Sequence, residues 1–347
     1  MMETDKYLFD LNQDQLKDYF VSIGEPPYRV EQLWNASYTH FAQDFNQVTA
    51  FPVRLRSQLA CDMHFSHLKT VERFASTDGE TIKNLFTLPD GNLIESVLMH
   101  YNERKTLCIS SQSGCAMGCV FCATGQMGFR RNLSAGEVIE QVLFLGRELS
   151  QSGEKITNIV IMGMGEPFHN YDMVLEAIDR LNDPNGLNLG ARRFTISTVG
   201  IVPGIRRFAA EKRQVNLAIS LHAANDALRS MLIPANHKYP LSPLMEACGE
   251  YIKLTNRRLT FEWAMIKDVN DSVEHARELA ALLKGLLCHV NIIPLNPTTS
   301  YNGKATTEER AQEFKQVLEN NGIPCTIRAR RGIDIAAGCG QLAARRA

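Results

Sequence analysis

Apolar segments typical of strands alternate with segments of helical periodicity along most of this 347-residue chain. The strand-like segments are 106–110, 156–162, 193–197, 215–221, 259–265, 289–295 and 325–328, and the helical ones between them include 134–150, 171–181, 242–252, 272–286 and 307–320. Because neighbouring parallel strands need long crossovers, the alternation predicts parallel strands with right-handed connections, closed into a full or partial barrel. The functional residues of such barrels lie in loops that follow the strands.

The first 90 residues follow a different pattern. Segments 11–24 and 28–38 have the periodicity of short amphipathic helices, and two strand-like segments, 81–88 and 92–101, are joined by the turn Pro-Asp-Gly. We therefore predict an N-terminal accessory domain over residues 1–90 that includes a strand-pair linker. A barrel over 101–334 and a short C-terminal segment over 335–347 complete the predicted organisation.

Charge and hydropathy limit the partners and the cellular location that we expect for this chain. The net charge is -1, so the strong positive charge of many nucleic-acid-binding proteins is missing, and residues 1–90 carry 8 Lys and Arg against 13 Asp and Glu. The arginine pairs 130–131, 192–193, 206–207, 257–258, 330–331 and 345–346 fit a phosphate-facing surface as well as a solvated one. No long apolar run or secretory signal is present, so we expect a cytoplasmic protein without membrane association and with reduced cysteines.

Three cysteines with C-x3-C-x2-C spacing follow the first barrel strand. Cys115, Cys119 and Cys122 lie in a glycine-containing segment, where a barrel carries its functional loops. A structural zinc site takes four ligands, and no second C-x2-C or H-x3-H pair accompanies these three. Three thiolates on a four-iron cluster leave one iron open, which suits a cluster that binds a substrate. The single cysteines at 61, 248, 288 and 325 are expected to be small buried residues.

This motif and several other segments resemble a known family. The cysteine motif, with Phe121 before its third cysteine, resembles the radical S-adenosylmethionine (SAM) superfamily, in which SAM chelates the open iron of a [4Fe-4S] cluster and is cleaved to a 5′-deoxyadenosyl radical. The segments IMGMGEP, RRFTISTVGIVP, LAISLHAAND, IIPLNP and RGIDIAAGCGQL are similar to those of its RlmN/Cfr branch of RNA adenine methyltransferases. The resemblance extends from Glu25 to Leu342 and implies an α/β fold, a partial (β/α)6 barrel with a small N-terminal helical domain.

The resemblance also implies a set of SAM-binding residues, all after predicted barrel strands. They are Gly165, Glu166, Ser197, Ser220, Leu221, His222 and Asn296. Gly165 lets the backbone approach a ligand closely, and Glu166 offers a carboxylate to an ammonium group. His222 taken alone fits a structural histidine, but its position in SLHAAND beside Ser220 favours the binding role.

Two cysteines far apart in the sequence carry the implied reaction. Cys339 lies between Gly338 and Gly340, which predicts a mobile backbone and an accessible thiol, and it resembles the family's methyl-carrying cysteine. Cys108 resembles the thiol that resolves the covalent adduct through a transient disulfide with Cys339. Glu95 is similar in place to the family's proton acceptor. Taken alone, Cys108 fits a core residue and Glu95 an exposed carboxylate.

The implied chemistry follows from the substrate. The adenine carbons C2 and C8 are too electron-poor to attack the methyl group of SAM, so one SAM methylates Cys339 and a second SAM supplies the radical that activates this methyl group. The implied substrates are adenine 2503 of 23S rRNA and adenine 37 of tRNA, both methylated at C2. An external electron donor and a disulfide reductant are required, and we expect a monomer.

Two alternatives remain open from the residues. The first is Cfr-like methylation of the same rRNA adenine at C8, which gives antibiotic resistance and which no residue here separates from methylation at C2. The second, from another class, is a zinc-stabilised RNA-binding protein without catalytic activity.

The metal content of the purified protein distinguishes an iron-sulfur cluster from a zinc site at the three cysteines. We expect anaerobically purified protein to be brown and to contain about four irons per chain, because the three cysteines would hold a cubane cluster. Absorption spectra and elemental analysis for iron and zinc measure this. Colourless protein with stoichiometric zinc would contradict the cluster assignment.

Overall fold

The computed structural model describes residues 6–344 and places ten of its strands in one sheet. The strands are β1 Lys69–Ala75, β2 Thr81–Thr87, β3 Leu93–His100, β4 Lys105–Cys108, β5 Gln112–Gly114, β6 Phe129–Asn132, β7 Asn158–Ile161, β8 Phe194–Thr198, β9 Asn216–Ser220, β10 Leu259–Met265, β11 Cys288–Pro294 and β12 Cys325–Ile327. The sheet order is β1-β2-β3-β4-β7-β8-β9-β10-β11-β12, and β5 and β6 form a separate antiparallel pair.

The parallel part of the sheet is the predicted partial barrel. Strand β4 and the strands β7 to β12 run parallel to their neighbours. Six helical crossovers connect these strands, so the arrangement contains six β/α units and a last short strand. The antiparallel strands β1 to β3 extend the sheet beyond β4. The prediction of a partial (β/α)6 barrel is confirmed.

Helices cover the outside of the sheet and form most of the N-terminal region. They are α1 Gln13–Ser22, α2 Arg29–Trp34, α3 Val53–Asp62, α4 Ala123–Gln126, α5 Ala135–Gln151, α6 Tyr171–Asn182, α7 Val202–Ala210, α8 Asp226–Leu232, α9 Leu241–Thr255, α10 Val273–Leu283 and α11 Glu308–Asn320. Short 3-10 turns and one π-helical turn, Asn35–Thr39, connect them. The predicted helices are all present, whereas α3, α4, α7 and α8 were not predicted.

The start of α5 shows how local sequence sets an element boundary. Ser134 is its N-cap and accepts a hydrogen bond from the Glu137 backbone, while the Glu137 carboxylate accepts one from the Ser134 backbone at 2.9 Å. This reciprocal arrangement satisfies two backbone donors that the helix itself cannot pair. Arg131 binds both oxygens of Glu137 at 2.7 Å, which ties the helix to β6.

The predicted strand pair is present as β2 and β3, with Thr81 opposite Met99 and Thr87 opposite Leu93. Strand β1 was not predicted, because it is a partly exposed edge strand whose segment KTVERFA contains three charged residues. Through β3 and β4 the pair continues the barrel sheet directly. The domain boundaries at residues 90, 101 and 335 stay a prediction.

A continuous apolar core lies between the parallel strands and their helices. Trp263 of β10 is buried, contacts Phe314 of α11 at a ring distance of 5.5 Å, and donates its indole hydrogen to the Asn270 carbonyl. The expected burial of Cys248, Cys288 and Cys325 is confirmed. The same expectation for Cys61 is wrong, because this residue lies on the solvent-facing side of α3. Among residues 6–344, none of the helices has the length and apolar character needed to cross a bilayer.

A buried histidine joins the N-terminal region to the barrel. The His67 ring stacks on Tyr7 at 4.0 Å, its Nε2 lies 2.8 Å from Asp10, and its Nδ1 is hydrogen-bonded to Glu140 of α5. Burial alone would lower the pKa of His67, but hydrogen bonds and charge from Asp10 and Glu140 outweigh it and raise the pKa to about 9. His67 is therefore a cation between two carboxylates at neutral pH.

We expect His67→Ala to lower the free energy of unfolding by about 3 kcal/mol at pH 6, because the charged form is favoured in the folded state. The folded-state pKa lies above the unfolded value of about 6.5, so this contribution is complete below pH 6.5 and is lost as the pH rises through about 9. Urea unfolding of the wild type and the variant at pH 6 and pH 10 measures it. The exposed His40→Ala serves as the control. An equal effect of His67→Ala at both pH values would contradict the assignment.

Candidate active site

The loop that carries the three clustered cysteines is held between β5 and β6. The Cys115 amide donates to the Gly128 carbonyl at 3.0 Å, and the Cys122 amide donates to the Cys119 carbonyl at 3.1 Å. Gly114 has a φ of +72°, and a Cβ there would lie 2.0 Å from the Gly128 carbonyl oxygen. Only glycine fits at residue 114, where β5 and β6 approach each other closely. This close approach fixes the point at which the cysteine loop leaves the hairpin.

Six of the seven predicted SAM-binding residues line one cavity together with the three cysteines. We call it the cluster-side cavity. Its lining includes Cys115, Cys119, Cys122, Gly165, Glu166, Ser197, Ser220, His222, Asn296 and Cys339. The polar residues among them lie at or just after the carboxyl ends of β7, β8, β9 and β11, as expected for a barrel. Leu221 is not part of this lining; its side chain is fully buried and its backbone amide donates to the Glu262 carbonyl.

The cysteine arrangement fits a cluster in which each thiolate binds a different iron. Within residues 6–344, no three His, Cys, Asp or Glu side chains converge closely enough to hold a single metal ion. Cys115, Cys119 and Cys122 nevertheless face one cavity, as separate corners of a cubane cluster require. Burial raises the pKa of the Cys115 thiol to about 12, so metal binding is the condition that would keep this thiolate deprotonated.

Gly165 and Glu166 form the wall of the cavity after β7. Gly165 has a φ of +107°, and a Cβ there would lie 2.6 Å from Gln112 Cβ. The Glu166 carboxylate accepts hydrogen bonds from the Val199 amide at 2.7 Å and the Phe168 amide at 3.0 Å. Burial raises the pKa of Glu166 to about 7. A carboxylate has about four acceptor positions, so Glu166 retains capacity for an ammonium donor.

His222 lies on the lining in a left-handed conformation, with a φ of +60°. Its Nδ1 accepts a hydrogen bond from the Ala264 amide at 2.8 Å, and burial lowers the pKa of the ring to about 3. The imidazole is therefore neutral and carries its hydrogen on Nε2. Asn270 holds this geometry, because its amide donates to the carbonyls of His222 and Ala264, both at 2.8 Å. Sequence reasoning missed Asn270, which lies in the loop after β10.

A second cavity meets the first at Cys339. We call it the arginine-lined cavity. Its lining includes Met99, Tyr101, Cys108, Arg328, Arg330 and Arg331, and it shares Cys122, Met162, Gly163, Ile293, Asn296, Cys339 and Gly340 with the cluster-side cavity. Cys339 therefore borders both spaces, and Cys108 faces only the arginine-lined one. The structure thus brings together the two cysteines that the sequence places far apart.

Hydrogen bonds hold the segment that carries Cys339. The Asn296 amide donates to the Cys339 carbonyl at 3.1 Å, the Ala123 amide to the Gly340 carbonyl at 2.7 Å, and the Thr124 hydroxyl to the Leu342 carbonyl at 2.7 Å. The backbone is therefore fixed to the cysteine loop, in contrast to the mobile segment expected from its flanking glycines. Residue 339 is exposed, which agrees with the expected accessible thiol.

The two thiols differ in their surroundings. Cys108 is buried at the end of β4, and this burial raises the pKa of its thiol to about 12. Residue 339 as a whole is exposed, yet the surrounding protein desolvates its thiol and raises its pKa as well. Both thiols therefore need a nearby positive charge to become reactive thiolates at neutral pH.

Glu95 does not reach either cavity. It is buried in β3, where its Oε1 lies 3.0 Å from Lys83 Nζ and its Oε2 accepts hydrogen bonds from the amides of Ala343 and Ala344 at 2.8 and 3.1 Å. The expectation of an exposed strand carboxylate, drawn from the residue alone, is wrong. The C-terminal segment covers the carboxylate that the resemblance assigns as proton acceptor.

Two further charged residues lie in the barrel interior and were missed. Glu262 of β10 lines the cluster-side cavity, and Arg328, just after β12, lines the arginine-lined one. A signal for Glu262 was present, because a carboxylate interrupts the apolar strand LTFEWAM. No comparable signal marks Arg328, since an arginine after a short strand is commonplace.

The arginine pairs are mostly engaged within the protein. Arg206 pairs with Glu250, Arg207 with Asp172, and Arg131 with Glu137. These ion pairs fit the solvated-surface alternative, because their charges are already compensated. The pair at 345–346 lies outside the described residues.

Comparison with protein families and curated relatives gives consistent matches. Residues 109–283 match the radical SAM superfamily, and residues 6–64 match the ribosomal RNA large subunit methyltransferase N-terminal domain. The dual-specificity RNA methyltransferase RlmN 1 of Myxococcus xanthus is 48% identical, over 99% of this chain and 95% of the relative. A probable dual-specificity RNA methyltransferase RlmN of Chloroflexus aurantiacus is 48% identical, over 97% of this chain and 93% of the relative.

Solved structures agree. A radical SAM methyltransferase from Sphaerobacter thermophilus superposes with a TM-score of 0.96 at 48% identity, covering 98% of this chain and 100% of that chain. The [FeFe]-hydrogenase maturase HydG superposes with a TM-score of 0.51 at 12% identity, covering 67% of this chain and 54% of that chain, which shows similarity of fold alone.

Gly165 provides a test of the cavity wall. We expect Gly165→Ala to weaken SAM binding to the cluster-loaded protein at least about tenfold, because the new Cβ collides with Gln112 and the left-handed backbone becomes strained. Equilibrium dialysis with labelled SAM measures this. Gly249→Ala, a helical position where a Cβ meets nothing within 4 Å, is the matched control. Unchanged binding in Gly165→Ala would contradict the placement of the ligand against this wall.

Proposed function

This chain belongs to the radical SAM superfamily and, within it, to the RlmN family of RNA methyltransferases, and on that premise we propose that it methylates C2 of an adenine in 23S rRNA and in tRNA. The observation that carries the proposal is the position of Cys339 on the boundary of two cavities. One cavity has the donor set for a cluster and SAM, and the other has a basic wall suited to a nucleotide. A cysteine that borders both is able to carry a methyl group from one to the other.

The cofactors of the family are a [4Fe-4S] cluster and SAM, and Cys115, Cys119 and Cys122 would hold the cluster. When bound, they supply a methyl group and a carbon radical at the cluster-side cavity. Gly165 opens the wall for a close approach, Glu166 offers acceptor positions for the amino group, and Ser197, Ser220, Leu221, His222 and Asn296 complete the proposed SAM contacts. The neutral His222, with its hydrogen on Nε2, is suited to donate to a ligand.

Cys339 is proposed to carry the methyl group. Its carbonyl is held by Asn296, and Gly338 leaves space for this contact, since a Cβ there would lie 2.6 Å from Asn296 Nδ2. The fixed backbone keeps the thiol at the junction of the cavities, where a displacement of about 1 Å would lower the rate strongly. Support for the role comes from this position together with the exposure of residue 339.

Cys108 and Glu95 are proposed to complete the transfer. Cys108 lines the cavity that Cys339 borders, which supports its role as the thiol that forms the transient disulfide with Cys339. Glu95 is proposed as the proton acceptor. Its hydrogen bonds from Ala343 and Ala344 must open first, so the proposal includes a movement of the C-terminal residues when RNA binds.

The arginine-lined cavity is proposed to receive the adenine. The ring carbon reaches the thiols only when the base leaves its stack. Tyr101, with the Arg331 guanidinium 4.5 Å above its ring, offers an aromatic face and positive charge at the wall of this cavity. The proposal also includes an external electron donor, a dithiol reductant, a monomeric enzyme and a cytoplasmic location.

Product analysis tests the function. We expect cluster-loaded enzyme with SAM and rRNA fragment or tRNA to produce 2-methyladenosine, detected by mass spectrometry of the digested RNA. We expect Cys339→Ala to produce no methylated base, because the methyl carrier is missing, while still binding SAM. Cys108→Ala is expected to accumulate a covalent RNA–protein adduct, because the adduct is not resolved.

The control is Cys61→Ala, which removes an exposed cysteine that lines neither cavity and should leave product formation unchanged. Methylation by Cys339→Ala would contradict the covalent route. A product that is only 8-methyladenosine would favour the Cfr-like reaction, which no described contact supports over methylation at C2.

A further inference from the structure

A loosely joined pair of charges lies inside the barrel near the reactive thiols. Glu262 Oε2 and Arg328 Nη1 are 3.8 Å apart, and both are buried atoms without a hydrogen bond within residues 6–344. The other Glu262 oxygen accepts a hydrogen bond from the Asn291 amide at 3.0 Å. A buried ion pair normally adds hydrogen bonds to its charge attraction, because the desolvation of both groups is costly. This pair leaves a donor of Arg328 unused.

Arg328 lies on the wall of the cavity that the reacting thiols border. Arg328 lines the arginine-lined cavity together with Cys108 and Cys339, and its backbone amide is fixed to the Ile292 carbonyl at 2.8 Å. Its neighbours on the same wall are engaged elsewhere. Arg330 donates to Asn296, and Arg331 donates to Glu80 and to the His100 carbonyl. Arg328 therefore places a positive charge, paired only loosely with Glu262, at the wall of a space that contains two thiols.

A nearby positive charge would stabilise the thiolate form of Cys108, which is the form that reacts. Only a thiolate attacks sulfur at a useful rate, and desolvation holds the buried thiol in its protonated form at neutral pH. The titratable or charged groups around the same cavity are Tyr101, Cys122, Arg328, Arg330, Arg331 and Cys339. Within this set, Cys339 disfavours the thiolate of Cys108 and Arg328 favours it.

We propose that Arg328 is the counter-ion of the Cys108 thiolate during resolution of the RNA adduct, and that Glu262 holds its guanidinium beside the cavity without saturating it. The inference rests on the proposed function. It goes beyond that function by assigning a role to two residues for which the family resemblance implied none.

Resolution of the adduct replaces one carbon–sulfur bond by one sulfur–sulfur bond. Cys108 loses its proton to solvent, and its thiolate attacks the sulfur of Cys339, so that a sulfur–sulfur bond forms. The bond between Cys339 sulfur and the methylene carbon breaks, and its electron pair passes to that carbon, which takes a proton from solvent and becomes the methyl group of the product. The disulfide is then reduced by an external dithiol.

Alkylation of Cys108 as a function of pH tests the inference without turnover. Reduced, cluster-loaded enzyme is treated with iodoacetamide, and the Cys108 peptide is quantified by mass spectrometry. Below the pKa of the Cys108 thiol, which burial raises to about 12, the alkylation rate at each pH is proportional to the thiolate fraction. We expect Arg328→Gln to slow alkylation of Cys108 about tenfold at pH 8 and at pH 9, which corresponds to a rise of about one unit in its pKa. Arg328→Lys should restore most of the rate, because it keeps the charge.

Arg330→Gln is the matched control, since it removes a charge from the same wall and should leave the alkylation rate of Cys108 unchanged. An unchanged rate in Arg328→Gln would overturn the inference. An equal decrease in Arg330→Gln would also overturn it, because the effect would then come from the general field of the cavity. Iron content and circular dichroism equal to those of the wild type confirm that the variants are folded and loaded.

Adduct formation during catalysis distinguishes a failure of this inference from a failure of the proposed function. With SAM and RNA, we expect Arg328→Gln to accumulate the covalent adduct seen with Cys108→Ala, detected as a slow band on a denaturing gel. An adduct with Cys108→Ala but none with Arg328→Gln would overturn the role of Arg328 alone. No adduct with Cys108→Ala would contradict the covalent route, and the inference would fail with it.

Discussion

The buried contact between Glu95 and its three partners is the interaction on which the site depends. Glu95 binds Lys83 through one oxygen and the amides of Ala343 and Ala344 through the other, so it joins β2, β3 and the C-terminal segment. Loss of one partner of such a buried pair costs about 3–5 kcal/mol. The contact fixes Ala343 and Ala344, which follow Cys339 closely, and so adds to the hydrogen bonds from Asn296, Ala123 and Thr124 that hold this segment. The residue proposed as the base is therefore also an anchor, and the two roles exclude each other until the segment moves.

Cys339 is one of the residues that lie between two spaces of different chemistry. The cluster-side cavity is lined by thiols, a neutral histidine and small polar residues, whereas the arginine-lined cavity has positive charge and an aromatic ring. Such a division suits a reaction in which reactive species form in one space and RNA occupies the other. Because Asn296 holds the Cys339 backbone, the position of the thiol relative to the two cavities is set by the fold.

Burial gives ordinary residues unusual charge states in this barrel. The pKa of His222 is lowered to about 3 and that of Glu166 is raised to about 7, in both cases by desolvation. Desolvation also disfavours the charged forms of Glu262 and Arg328. A charge in the interior is retained only beside an opposite charge, and these two residues provide such partners for each other. The interior therefore favours neutral groups, except where a partner is provided.

The sequence by itself determined the strand–helix alternation, the position of the cysteine loop after the first barrel strand, and the candidate ligands at strand ends. These features are local, because periodicity and spacing report how each segment is buried. Only the tertiary structure decided that Cys108 and Cys339 face one cavity, that Glu95 is covered by Ala343 and Ala344, and that Arg328 lies beside the thiols. The pattern of one segment contains no information about which distant segment covers it. Burial and charge state depend on that covering, so they are settled only when the chain folds.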